Sequence, residues 1–164
     1  MNQAQAFWLA LVIAYDFRQR RVPNGLVLAG VALAIGALIS GTHPAGLSWP
    51  DALLACALAF GVMLIFYAFN LMGAGDVKFA GALGLWIGTE GLLPVWIVSS
   101  LLACVHGLSW YFLNRWPLWP RLSTALSGIP PTPGAPAPKR ARHIPYAAYL
   151  AIAALSWMAW NMYG

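Results

Sequence analysis

Apolar residues in this chain come in long blocks, not at the spacing of an amphipathic surface helix. Residues 6–15, AFWLALVIAY, are uninterrupted. Further blocks follow at 26–39, 52–69, 77–88, 92–113 and 145–163. Blocks of this length with few charges predict membrane-spanning helices. A helix from about Asn2 to Gln19 reaches roughly 27 Å at 1.5 Å per residue, enough for a first span. A cleaved signal peptide is the competing reading of that run. No basic residue precedes the run, however, and no small-residue cleavage site follows it. The predicted fold class is therefore all-α: one polytopic membrane domain over 1–164 with six transmembrane helices.

The polar punctuation supports this division. Arg18-Gln19-Arg20-Arg21-Val22-Pro23-Asn24 is a basic turn in which Pro23 stops one helix and Asn24 or Gly25 starts the next. Ser48 and Asp51 have capping-box spacing around Pro50, so Asp51 reads as a helix-start residue. Met72-Gly73-Ala74-Gly75-Asp76-Val77-Lys78 separates the third span from a short fourth one. Ala80, Gly84 and Gly88 form a small-residue stripe suited to close helix packing. Gly88-Thr89-Glu90-Gly91 reads as a turn, with Glu90 solvated. Residues 114–144 hold seven prolines and five basic residues and read as a cytoplasmic linker before the last span.

Composition agrees with a membrane protein. The chain is 61% hydrophobic and 8% charged. Its nine Lys/Arg against four Asp/Glu would suggest nucleic acid in a soluble protein. Here the basic residues sit in loops 18–21 and 115–142 and at Lys78, all on one side of a six-span topology. The positive-inside rule makes that side cytoplasmic and puts both termini outside, with no nucleic-acid partner. Asp16 and Asp76 then share the cytoplasmic side, and Asp51 and Glu90 the other. Cys56 and Cys104 lie in apolar runs and read as small packing residues. No C-x-x-C pair is present, and no metal or cofactor is expected. His106, near the end of the fifth span, reads as a satisfied or interfacial histidine with no visible partner.

The candidate chemistry rests on Asp16 and Asp76. Acids at membrane depth are costly and mark functional sites. Two carboxylates close together do not both ionise readily, so one keeps a proton while the other acts as a base. That pair can hydrolyse a peptide bond through an activated water, provided both reach it. The bland alternative is two helix-end charges, solvated or paired with Arg18, Arg20 or Lys78. Lys78 is two residues from Asp76 and points to another helix face, so it is expected to snorkel or contact another element.

These residues carry a family resemblance. Asp16 through Asn24, DFRQRRVPN, resembles the first signature of the type IV prepilin peptidases. Residues 72–88, MGAGDVKFAGALGLWIG, resemble their second, built on G-x-G-D-x-K, and Ile144-Pro145-Tyr146 resembles their Ile-Pro-Tyr/Phe element. The resemblance implies catalytic roles for Asp16 and Asp76, with Gly73, Gly75, Lys78, Pro23 and Asn24 as motif support. It implies a prepilin or pseudopilin substrate whose basic leader is cut at the cytoplasmic face of a bacterial inner membrane. The substrate's apolar helix would lie in the bilayer beside the enzyme. Gly73 and Gly75 would let a backbone approach closely.

Longer relatives of this kind carry a domain with paired cysteines that goes with N-methylation. This chain starts at the first motif-bearing span and reads as a short, peptidase-only form, like those serving tight-adherence pili. Ala147 stands where the family usually has glycine, and the Pro-rich insertion is atypical. Two alternatives share the aspartates. Tyr15-Asp16 and Gly-Ala-Gly-Asp also echo presenilin-like and signal-peptide-peptidase-like proteases, whose size and turn sequence differ. A non-enzymatic proton- or ion-coupled membrane component would favour acids nearer the midplane.

Overall fold

A computed structural model describes residues 3–115 and 144–163. It is a bundle of helices: α1 (Gln3–Gln19), α2 (Asn24–Ile39), α3 (Trp49–Ala68), α4 (Ala74–Arg115) and α5 (Tyr146–Tyr163). Two of them, Trp49–Ala68 and Ala74–Phe112, are long and apolar enough to cross a membrane, and Asn24–Ile39 is a shorter apolar helix. Of the expected Pro-rich segment 114–144, residues 114 and 115 belong to the end of α4, and 116–143 lie outside the described residues.

α4 is the hub. It packs most extensively on α3 and also on α5 and α2. Its first arm, residues 74–87, is surrounded: Val77, Phe79, Ala80, Leu83, Trp86 and Ile87 are all buried. An apolar helix enclosed on every side has no polar face, which is why its sequence shows no amphipathic period. Trp8 of α1 lies over Gly30 of α2 and donates its indole N–H to Leu26 O at 2.8 Å. Trp86 of α4 donates to Gly30 O at 3.1 Å. The two indoles join α1, α2 and α4 through backbone oxygens that an α-helix leaves accessible near a glycine.

The turn expected at 88–91 is a single break. Only Gly88 leaves helical angles, at φ 65° and ψ −176°, and the helix resumes through Thr89, Glu90 and Gly91. Asp51 explains how it resumes. Its Oδ1 accepts from the Thr89 backbone N–H at 3.4 Å and from the Thr89 hydroxyl. Asp51 is thus a helix-start residue, as expected, with Ser48 accepting its backbone N–H at 3.5 Å. It also caps the second arm of α4 from outside. A Cβ on Gly88 would come within 2.5 Å of Asp51 Oδ2 and 2.6 Å of Leu47 Cδ2, in a backbone region that glycine alone occupies freely. Gly88→Ala is expected to cost about 1–3 kcal/mol, read as a lowered unfolding midpoint in detergent.

Cys56 packs against the core, but Cys104 is exposed on the bundle surface, not buried as a packing residue. A group that the sequence left unremarked is buried in the loop after α2. His43 Nε2 donates to Leu85 O at 3.2 Å, its Nδ1 accepts the Ala45 N–H at 3.4 Å, and the ring lies 5.5 Å from Trp86. These bonds use the neutral tautomer, one nitrogen donating and the other accepting. Burial pushes the imidazole below its ordinary 6.5. A histidine lowered in the folded state contributes fully above the unfolded value and loses that contribution as pH falls towards the folded one. Unfolding midpoints measured between about pH 7.5 and about pH 5 should therefore fall on acidification, and less steeply in His43→Gln.

Candidate active site

Three elements meet at one end of the bundle. α1 supplies Asp16 one turn before its end. Arg20 then takes a left-handed conformation (φ 51°) and turns the chain, its N–H bonded to Asp16 O at 2.8 Å. Val22 is buried, and Pro23 O accepts the Leu26 and Val27 N–H groups in the first turn of α2 at 3.0 and 3.2 Å. The basic turn thereby folds back beneath the start of α4.

The start of α4 is a local device. The Asp76 backbone N–H bonds Gly73 O at 3.1 Å, and the Gly73 N–H bonds Asp76 Oδ2 at 3.1 Å. This is the reciprocal half of a capping box, with Gly73 at the cap and the acid three residues on. Gly75 faces the Val22 backbone, 3.7 Å from where its Cβ would stand. The backbone nearest Gly75 is thus that of the chain's own first motif. Lys78 is exposed and donates to Asn24 Oδ1 at 3.3 Å. It does contact another element, and the two motifs are joined through their Lys and Asn.

The last helix completes the site. The Ala147 N–H donates to Asp76 Oδ1 at 3.0 Å, and the Ala148 N–H donates to Asp16 Oδ2 at 2.8 Å. Two acids from two other helices therefore occupy consecutive amides in the first turn of α5. These amides have no partner within their own helix and carry the positive end of its dipole. Asp16 is 3% exposed and Asp76 9%, so neither is a solvated helix-end charge. Arg20 lies within electrostatic reach of Asp16. The start of α5 thus holds one oxygen of each acid on consecutive amides, and Gly73 holds the second oxygen of Asp76.

Sequence reasoning did not find Ala147 and Ala148 as binding groups, because an amide N–H contributes through the backbone and leaves no side-chain signal. It also gave His106 no partner. The structure gives it Tyr149, whose hydroxyl lies 2.6 Å from His106 Nδ1. Asp51 stands apart from this site, at the Gly88 break.

Fold and site thus define an all-helical, strongly apolar protein with two buried acids, from separate motifs, converging on one helix start. The chain belongs to the type IV leader peptidase family, whose sequence model matches residues 4–108. It is 31% identical over 113 residues to a prepilin leader peptidase/N-methyltransferase of Xanthomonas campestris pv. campestris, covering 64% of this chain and 38% of that protein. A protein of the same name from Legionella pneumophila is 31% identical over 117 residues, covering 66% of this chain and 40% of the relative. The match therefore spans about two fifths of those curated relatives. No solved structure matches the chain.

Proposed function

We propose that this protein is an intramembrane aspartic endopeptidase that removes the basic leader from type IV prepilin or prepilin-like proteins at the cytoplasmic membrane face. The observation that carries the reading is the seating of Asp16 and Asp76 on the consecutive Ala148 and Ala147 amides. Family membership and the names of the relatives supply the substrate class. Those names also include an N-methyltransferase, and the proposal is confined to the peptidase step.

In the reaction proposed, the ionised acid takes a proton from water as its oxygen attacks the scissile carbonyl. The protonated acid gives its proton to the carbonyl oxygen. Collapse of the tetrahedral intermediate returns that proton, the amide nitrogen takes the other, and the C–N bond breaks. No bond to the enzyme forms. The α5 dipole favours the negative charge that the pair carries throughout. With the six spans expected from the sequence, the basic loops and this site would fall on one side, where a basic leader would arrive.

The test is cleavage of a co-expressed prepilin in membranes, read as a product shortened by its leader. A cut at the leader junction supports the reading. A protein that cuts only a single-span stub would belong with presenilin-like proteases. One that conducts protons without cutting any peptide would be the ion-coupled component.

A further inference from the structure

The proposed site depends on how the first turn of α5 is aimed. Helix ends fray, and the residue before Tyr146 is Pro145, which has no N–H to give. Ala147 and Ala148 can hold two acids only if something fixes this turn in orientation as well as in place.

Two tyrosines bracket the two alanines. Tyr146 reaches the second arm of α4 at Ser99 Oγ (3.3 Å) and Ser100 Oγ (3.2 Å). The Ser99 hydroxyl gives its own proton to Trp96 O at 3.0 Å. Tyr146 must therefore donate to Ser99, which leaves its oxygen to accept from Ser100. Tyr149 meets His106 Nδ1 at 2.6 Å, farther along the same arm. Ser100 and His106 are about 9 Å apart along the helix at 1.5 Å per residue. One contact would fix a distance, whereas two at separate heights fix an orientation. Tyr149 also packs edge-on against Phe17, the neighbour of Asp16, with ring centres 5.9 Å apart at 85°. Its hydroxyl lies within electrostatic reach of Asp16 and Arg20.

We propose that Tyr146 and Tyr149 form a two-point brace against the second arm of α4, and that His106 and Tyr149 are positioning residues aiming the Ala147 and Ala148 amides at Asp76 and Asp16. This gives His106 a role and assigns one to the second arm of α4, which supplies neither acid. The inference rests on the peptidase reading.

The test is steady-state cleavage of a prepilin by purified full-length wild type, His106→Ala, His106→Asn, Tyr149→Phe and the His106→Ala/Tyr149→Phe double variant. Folded fractions are matched by thermal unfolding. Loss of the brace loosens the acids without removing substrate contacts. It should lower kcat about tenfold and leave KM within about twofold. Asparagine places a polar atom near the position of Nδ1 and should restore most of kcat. The double variant should be no worse than the worse single one, since both remove the same bond. Wild-type kcat per folded molecule in both single variants would overturn the brace and leave the peptidase reading intact. So would a change in KM alone, or multiplicative losses in the double variant. Failure of the wild type to cut any prepilin would instead overturn the peptidase reading, and the brace with it.

Discussion

Asp16→Asn and Asp76→Asn should each reduce prepilin cleavage by about 10³-fold or more while leaving the chain in the membrane. General acid–base contributions run to about 10²–10⁴-fold, and here each acid has a separate proton to move. Asparagine keeps the size and one acceptor oxygen, so Asp16→Asn can still accept the Ala148 N–H. Asp76 is more demanding. Both of its oxygens accept, one from Ala147 and one from Gly73, so its asparagine variant must turn an amide NH2 towards an N–H donor. It should be the less stable of the two, by about 1 kcal/mol. Asp51→Asn is the control. Thr89 uses only Oδ1 of Asp51, which asparagine keeps, and cleavage should be normal. The measurement is leader removal against membrane insertion for all three. Wild-type cleavage by either site variant would sink the shared site.

Gly84→Ala should be among the most damaging single-methyl additions to the bundle. A Cβ there would stand 2.7 Å from Ala55 O, 2.8 Å from Ala55 C and 2.8 Å from Cys56 N. All three are backbone atoms of α3, so no side chain can swing away to make room. Two helices packed on a glycine must separate, and overpacking of this kind costs about 1–3 kcal/mol. Gly36→Ala, where nothing lies within 4 Å, should be neutral or stabilising by about 0.4–1 kcal/mol, through the entropy of the unfolded chain alone. Unfolding midpoints of the two variants in one detergent decide the point. Equal midpoints would mean that α3 and the first arm of α4 do not meet at Gly84. The site makes this contact matter, because the same arm carries Asp76 and Lys78.

Much of the bundle was legible in the sequence. Two helix starts were written in local chemistry, Ser48 with Asp51 and Pro23 before Asn24, whereas the cap of Gly73 by Asp76 came only with the structure. Interactions within one turn leave residue types at fixed spacing. The stripe Ala80-Gly84-Gly88 announced a close approach, and Gly84 meets the α3 backbone as that stripe requires. The same stripe misled at its end. Gly88 pointed to a four-residue turn, but Asp51, 37 positions earlier in the chain, recaptures the helix at the next residue.

The two acids were conspicuous in the sequence itself, because buried charge is costly and stands out in an apolar chain. What brings them together was decided only by the tertiary structure. The Ala147 and Ala148 amides, the Lys78–Asn24 bond and the His106–Tyr149 pair join residues 43 to 132 positions apart. A backbone N–H is the same in every residue that has one, so nothing in the letters marks which amide will receive a carboxylate. That depends on where three helix ends meet, which is fixed by packing around the first arm of α4.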